Sequence, residues 1–298
     1  MPELPDISVY VDCLRELAVG ARLARIDLRS PFVLRTVQPP AAAFEGGTVA
    51  DVRRLGKRVV LAFDAAGGAP GGPLFAVIHL MIAGRLHWKL PGGKPPPGTQ
   101  AAWLFDRGQL VLTEAGTQRR ASIHLVQGEA ALAALDPGGL EPLACSAEAL
   151  RERLGAANHT LKRALTDPHL LSGVGNAYSD EILHRARLSP LALTASLDAA
   201  AWQRLHAALQ AVLREWTARL RAEAGAFPGK VTAFHPAMAV HGRHGQPCPD
   251  CGAPVQRIVY ASNETNYCAR CQTGGRVLAD RALSRLLKAS FPRTLDEA

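Results

Sequence analysis

Residues 248–271 read CPDCGAPVQRIVYASNETNYCARC, in which two Cys-x-x-Cys pairs flank sixteen residues. In a four-cysteine zinc site each pair sits on a tight turn, and a hairpin between the turns brings the two pairs together. The spacing therefore predicts that Cys248, Cys251, Cys268 and Cys271 bind one zinc ion. Because four thiolates complete a tetrahedron, we expect this zinc to be structural and not catalytic. Buried free thiols or a disulfide are the alternative.

The composition is that of a globular protein with a basic surface. Of 298 residues, 48% are hydrophobic, and 34 lysines and arginines against 26 acids give a net charge of +8. This charge favours a polyanionic partner without proving one, since many enzymes are basic. No apolar run reaches the length that a bilayer needs, and the N-terminus lacks the pattern of a signal peptide. We therefore expect a cytoplasmic protein that is not secreted.

The first predicted domain, residues 1–136, has the pattern of a β-sandwich or barrel behind a leading helix. The helix is amphipathic and ends at Gly20, as a C-terminal glycine stop would. From residue 22 to about 127 the pattern changes to short β-branched runs between glycines and prolines. The stretch FVLRTV, residues 32–37, is one of the strands that these runs predict.

Helical patterns dominate the second predicted domain, residues 137–238. Its longest helix is predicted to start with Ser196 as the N-cap and to end near Glu223, with one apolar stripe that packs in the core. The cysteine pairs and a tail form the third predicted domain, residues 239–298. The fold class is therefore α+β with several domains. Four leucines of the tail have near-helical spacing, namely Leu278, Leu283, Leu286 and Leu287. We expect this segment to pack against the rest of the protein, and a helix that binds another protein is the alternative.

A glycine-rich turn between two helical segments is a second candidate site. Residues 172–176 read SGVGN, where backbone N–H groups can converge because no side chain blocks the approach. A helix N-terminus behind such a turn favours an anion, and Lys162, one helix earlier, could add a positive charge. A plain turn between helices is the alternative.

The amino terminus, MPELP, is a third candidate site. Removal of Met1 would leave a secondary amine on Pro2, and an α-amino group with a pKa of about 7.7 to 8.0 is partly unprotonated near neutral pH. Such an amine can attack a sugar C1′ to give an iminium, while an adjacent carboxylic acid protonates the ring oxygen. Glu3 is placed to supply that acid. A frayed terminus without chemistry is the alternative.

Taken in chain order, these motifs resemble the formamidopyrimidine-DNA glycosylase and endonuclease VIII family. The resemblance lies in MPELP, in RRLGKRVV around Lys57, in GVGNAYSDEIL around Asn176, and in the cysteine hairpin. It extends to VIHLMIAGRL, GGLEPL and GRHGQPCPDCG. The family implies an N-terminal β-sandwich, a helix-two-turn-helix domain and a zinc hairpin. It also implies a bifunctional glycosylase and abasic-site lyase of base excision repair, which binds damaged double-stranded DNA in the cleft between its halves.

The resemblance implies a role for each matching residue. Pro2 would attack C1′ of the damaged nucleotide, expel the base and hold the sugar as a Schiff base, while Glu3 would protonate the opening ring. Lys57 would serve the elimination step and contact backbone phosphate, although a solvated strand lysine is the alternative. Lys162 and Asn176 would hold the phosphate near the lesion. One structural zinc is the expected cofactor, with no nucleotide cofactor, no membrane partner and a monomeric state. The resemblance also implies that the protein associates with the bacterial nucleoid.

Several departures from the family pattern concern the groups that fill the gap left by an everted base. At the position where the family usually carries a wedge methionine, this chain has Ile82, with Met81 one place earlier and predicted on the opposite strand face. Arg119 and Arg120 of the family's arginine loop are kept, but Ala121 replaces an aromatic residue. These arginines could reach the orphaned base, or they could belong to an ordinary basic hairpin.

Other departures bear on the substrate. Asn263 stands where the family usually presents an arginine that grips phosphate and assists δ-elimination. The lesion-capping loop is shortened to EAGAFPGKVTAFHP, residues 223–236, and Asp6 and Ser8 replace the usual glutamates. These changes argue against 8-oxoguanine as the preferred substrate and against efficient δ-elimination. We expect an oxidised or ring-opened base as the lesion, with oxidised pyrimidines, hydantoins, and bulky alkylated or crosslinked bases as the alternatives. A binder of abasic or distorted DNA without turnover and a zinc-ribbon scaffold for protein partners are the rival functions.

Overall fold

The computed structural model describes residues 1–64, 71–116, 118–229, 231–232, 234–260, 263–278 and 294–295. By its internal contacts the chain forms two compact units. Unit 1 comprises Met1–Pro137 and Trp216–Thr232, and unit 2 comprises Gly138–Glu215 and Ala233–Ala298. The three predicted domains stay a prediction, because this division yields two units and assigns the end of the long helix to the first. Leu283, Leu286 and Leu287 of the tail lie outside the described residues.

Unit 1 contains two four-stranded antiparallel sheets, with strand orders β1-β6-β7-β5 and β2-β3-β4-β8. Its elements are α1 (Leu4–Ala18), β1 (Leu23–Leu28), β2 (Thr48–Leu55), β3 (Arg58–Asp64), β4 (Leu74–His79), β5 (Gly84–Lys89), β6 (Thr99–Phe105), β7 (Gly108–Glu114), β8 (Ser122–Gln127) and α2 (Glu129–Ala133). Side chains from both sheets, among them Phe63 and Trp103, share one hydrophobic core. The predicted β-sandwich is therefore confirmed.

The sheet β2-β3-β4-β8 is apolar on both faces, and this explains the unbroken hydrophobic run of β3. Alternate residues of a strand point to opposite faces. Leu61 and Phe63 lie in the core that the two sheets share, whereas Val60 and Ala62 pack in a second cluster with Leu132 of α2. The short helix α2 thus covers the outer face of this sheet.

The strand predicted at residues 32–37 is wrong. Residues Pro31–Val33 form a 3-10 turn, and Leu34 makes only an isolated bridge to Ile123. Pro31 has no N–H group to donate to a ladder, and Phe32 is 82% exposed, so no strand forms here, although Val33 is buried in the core and Leu34 packs against it. Strands β2 and β5 escaped prediction because charged residues interrupt their apolar pattern.

Unit 2 contains short helices and the cysteine hairpin. Its elements are α3 (Ala147–Gly155), α4 (Leu161–Thr166), α5 (Asn176–Ala186), α6 (Ala199–Glu223, which continues into unit 1), β9 (Val255–Tyr260), β10 (Asn263–Cys268) and α7 (Ala269–Thr273). The predicted N-cap of α6 is wrong, because Ser196 ends a separate 3-10 turn. The carboxylate of Asp198, which accepts from the Ala201 N–H at 2.7 Å, provides this contact instead.

Within the described residues, no helix combines the length and the apolar character that crossing a membrane requires.

Candidate functional site

The amino-terminal residues are ordered against unit 1. Pro2 is buried behind Met1, and Glu3 is 3% exposed at the residue that precedes α1. The Glu3 N–H donates to Asp6 Oδ2 at 2.9 Å, and the Ser8 hydroxyl donates to the Leu4 carbonyl at 2.8 Å. These contacts stabilise the first turn of α1, so the start of the chain has a defined position.

Four charged side chains surround the amino group, which Met1 carries in this structure. Burial lowers the pKa of this amine, Glu3 and Asp6 raise it, and Arg85 and Lys57 lower it further. The net effect favours the neutral amine, which is the form that acts as a nucleophile.

No motif in the sequence marks Arg85, and Asp6 stands out there only because it replaces a glutamate that is usual in the family. The Arg85 guanidinium donates to three backbone carbonyls, those of Val231 at 2.9 Å, Ile82 at 3.0 Å and Gly84 at 2.7 Å. It is therefore a fixed positive charge near the terminus. Burial raises the pKa of Asp6 to about 7, so this carboxyl group is partly protonated near neutral pH.

Lys57 lies in a two-residue turn between β2 and β3. Leu55 pairs with Arg58, and Gly56 adopts a positive φ of 60°, as such a hairpin turn requires. Lys57 is half-buried, and its charge lowers the pKa of both the terminal amine and His79. Lys57 is thus a turn residue whose charge acts at the amino terminus, and not the strand lysine of the alternative interpretation.

Ile82 lies in a turn between β4 and β5, so the predicted arrangement of Ile82 and Met81 on opposite strand faces is wrong. Met81 has a left-handed φ of 52°, and Ile82 is 60% exposed. The Gly84 N–H closes the turn on the Leu80 carbonyl at 2.9 Å, and a Cβ at Gly84 would collide with the same oxygen. The turn therefore presents an apolar side chain to solvent.

Arg119 and Arg120 lie in the loop between β7 and β8, with both side chains exposed. The buried carboxylate of Glu114 accepts from the backbone N–H of Arg120 at 2.8 Å and of Ala121 at 3.0 Å. Arg120 also donates to the Gln118 side chain at 3.0 Å. Glu114 thus fixes the end of the loop while leaving both guanidinium groups accessible.

In unit 2, Lys162 and Asn176 meet at the start of α5. Lys162 Nζ donates to Asp180 Oδ1 at 2.5 Å and to the Asn176 carbonyl at 2.7 Å, and its side chain is 12% exposed. The Asn176 side chain donates to the Glu264 carbonyl of β10 at 2.9 Å. Lys162 therefore supports the helix start through a buried ion pair, and Asp180 is a partner that sequence analysis missed.

Two neighbouring acids of α5 hold the segment that leads into the cysteine hairpin. Asp180 also accepts from His241 Nδ1 at 2.7 Å and from the Asn266 N–H at 3.1 Å. Glu181 accepts from three consecutive backbone N–H groups, those of residues 239–241, at 2.7 to 3.0 Å. The sequence signal was the pair DE in GVGNAYSDEIL, but its partners lie far along the chain.

The four cysteines of the hairpin form one structural zinc site. None of the four forms a disulfide, so the disulfide alternative is wrong, and their sulfur atoms lie within 4.8 Å of one another. The Cys251–Cys268 and Cys248–Cys271 sulfur pairs are 3.4 and 4.0 Å apart. Sulfurs around a tetrahedral zinc with bonds of about 2.3 Å lie about 3.8 Å apart, so the observed cluster fits.

Asn263 begins β10 at the end of the hairpin. It pairs with Tyr260 and is exposed, and residues 261 and 262 between them lie outside the described residues. The next residue along β10 is Glu264, whose carboxylate lies 3.5 Å from the guanidinium group of Arg257 on β9. The exposed position that sequence analysis compared with an arginine therefore presents an amide.

Comparison with known proteins agrees with this arrangement. Three family profiles match in chain order: the formamidopyrimidine-DNA glycosylase N-terminal domain at residues 1–122, the formamidopyrimidine-DNA glycosylase H2TH domain at 138–222, and a zinc finger found in FPG and IleRS at 245–274. Formamidopyrimidine-DNA glycosylase of Symbiobacterium thermophilum is 30% identical over 281 residues, which cover 91% of this chain and 89% of that protein.

Solved structures give the same result. The crystal structure of the MutM (Fpg) protein from Thermus thermophilus has 33% identity and a TM-score of 0.74, covering 91% of this chain and 98% of that one. A Lactococcus lactis Fpg (MutM) complex with FAPY-dG containing DNA shares the fold at 22% identity and a TM-score of 0.79, covering 91% and 100%. By these matches along nine-tenths of its length, the chain belongs to the formamidopyrimidine-DNA glycosylase and endonuclease VIII family.

Proposed function

We propose that this protein is a bifunctional DNA glycosylase and abasic-site lyase of base excision repair. The main observation is the buried Pro2–Glu3 start of α1, where Lys57 and Arg85 act on the terminal amine. Support also comes from the relatives, which are named formamidopyrimidine-DNA glycosylases, and from solved relatives in complex with lesion-containing or abasic DNA. The substrate is a damaged base in duplex DNA, which makes the cytoplasm the proposed location.

The proposed reaction begins after removal of Met1. The neutral Pro2 nitrogen attacks C1′ of the damaged nucleotide and a carbon–nitrogen bond forms. The base leaves with the electrons of the glycosidic bond and takes up the proton that the Pro2 nitrogen loses. Glu3 donates a proton to the ring oxygen, so the sugar opens and remains attached to Pro2 as a Schiff base. Lys57 then assists β-elimination of the 3′ phosphate and contacts the backbone.

Further DNA contacts are proposed within each unit. Asn176, at the start of α5, holds a backbone phosphate, and Lys162 supports it through the Asp180 ion pair. Everting a base costs about a few kcal/mol, and enzymes that do so fill the gap with side chains. We assign this role to the exposed Ile82, with Arg119 and Arg120 contacting the orphaned base.

Borohydride trapping on a duplex with one abasic site tests the proposal. Reduction of the Schiff base should crosslink the wild-type protein to DNA, and Pro2→Gly should lose most of this product. A chain with an uncleavable N-terminal extension serves as the matched control, because it blocks the same nitrogen without changing residues 2 to 298. Equal trapping by wild type and the extended chain would exclude Pro2 as the nucleophile.

A binder of abasic or distorted DNA without turnover is the second candidate. One observation favours it, namely the amide of Asn263 at an exposed hairpin position. Such a binder would retard abasic DNA in a gel but would give no crosslink after reduction. A panel of duplexes, each with a single defined lesion, then identifies the base that an active enzyme excises.

A further inference from the structure

A polar stripe on α5 contacts the cysteine hairpin at three successive helical turns. Its members, Asn176, Asp180 and His184, are four residues apart and therefore lie on one face of the helix. The first two contact the backbone of β10, at Glu264 and Asn266. The third reaches the metal site itself, which the reaction described above does not use.

His184 contacts a zinc ligand directly. Its Nε2 atom lies 3.3 Å from Cys248 Sγ, and the residue is only 4% exposed. A metal-bound thiolate carries no proton and can only accept a hydrogen bond, so in the zinc-loaded protein Nε2 must be the donor. The contact is then an N–H···S hydrogen bond from α5 to the cluster.

We propose that His184 is a positioning residue of the zinc site, which donates to the Cys248 thiolate, joins the hairpin to α5 and slows metal loss. Partners that orient metal ligands in this way typically change metal affinity by about 10- to 100-fold when they are mutated. The inference concerns the metal site alone and is independent of whether the protein excises bases.

The geometry distinguishes this role from direct ligation. The four sulfurs already have the spacing of a complete tetrahedron, which leaves no position for a fifth ligand. A set of His184, Asp250 and Cys271 also converges within 4.8 Å. However, Asp250 is 45% exposed and its carboxylate lies 4.0 Å from His184 Nε2, so the closer thiolate of Cys248 is the main partner.

Zinc release to a colorimetric chelator, measured on the full-length zinc-loaded protein, tests the proposal. His184→Phe keeps a ring but removes the donor and should release zinc about tenfold faster or more, whereas His184→Gln, whose amide can donate, should recover part of the difference. His206→Phe is the matched control, because His206, on α6, contacts the Cys145 carbonyl and not the cluster. Equal release rates for wild type, His184→Phe and His184→Gln would overturn the proposal.

Cobalt substitution gives a readout that a loss of packing would not produce. The hydrogen bond stabilises electrons on sulfur, so its removal in His184→Phe should shift the thiolate-to-cobalt charge-transfer band to longer wavelength, while His206→Phe leaves the band unchanged. An unshifted band in a folded His184→Phe protein would contradict the N–H···S bond. X-ray absorption that finds three sulfurs and one nitrogen around zinc would make His184 a direct ligand and would also overturn it.

Discussion

Replacing Lys162 by methionine should destabilise unit 2, because it leaves the carboxylate of Asp180 buried without its cation. The side chains are 12% and 0% exposed, and the charged atoms are 2.5 Å apart. At an effective dielectric constant of about 20, this separation gives an attraction of about 7 kcal/mol, which desolvation of both groups partly cancels. Asp180 keeps its contacts to His241 and Asn266, so we expect a loss of about 3 kcal/mol.

Urea unfolding followed by circular dichroism measures this loss at neutral pH. Arg185→Met is the matched control, because it breaks a bidentate pair with Glu215 whose side chains are 51% and 56% exposed. That pair should contribute less than about 1 kcal/mol. The double variant Lys162→Met/Asp180→Asn should regain part of the loss, since no buried charge is orphaned. A cost below about 1 kcal/mol for Lys162→Met would refute this reasoning.

Three further predictions concern unit 1. The Arg85 cation lowers the pKa of the terminal amine, so Arg85→Met should raise this pKa and shift half-maximal trapping of abasic DNA to higher pH. Arg85→Lys keeps the positive charge and should not shift it. Identical pH profiles for wild type and Arg85→Met would contradict the charge effect. Met81→Gly should raise the free energy of unfolding by about 0.5 kcal/mol, because glycine tolerates the positive φ, and a thermal melt that shows a loss would argue against strain in this turn. The pKa of Asp6 rises from 3.8 to about 7 on folding. Between these two values the folded protein holds the proton and the unfolded chain does not, so the free energy of unfolding should decrease as the pH is raised from about 4 to about 7. Asp6→Asn should flatten that slope in pH-dependent urea titrations, and an unchanged slope would assign the effect to other groups.

Local patterns in the sequence predicted most of the secondary structure of the sandwich, but not all of it. Runs such as RVVLAF alternate between two buried faces and are recognisable without knowing what covers them. FVLRTV looks similar but forms no strand: Pro31 starts a 3-10 turn, Val33 alone is fully buried, and Phe32 and Val37 are exposed. The hydrophobic pattern alone does not contain this information, since burial depends on which segments pack together.

The zinc site could be identified from the sequence alone, because spacing along a short segment fixes which thiolates can share a metal. The family and the candidate nucleophile could be identified too, because the motifs that indicate them are short stretches of consecutive residues. The packed structure was needed to find that Lys162 pairs with Asp180, that Arg85 is held by three carbonyls, and that His184 Nε2 lies 3.3 Å from Cys248 Sγ. His184 and Cys248 are 64 residues apart, and the geometry of a hydrogen bond between them exists only after α5 and the hairpin have packed. Contacts of this kind depend on a few tenths of an ångström in three dimensions, which no periodicity in one dimension records.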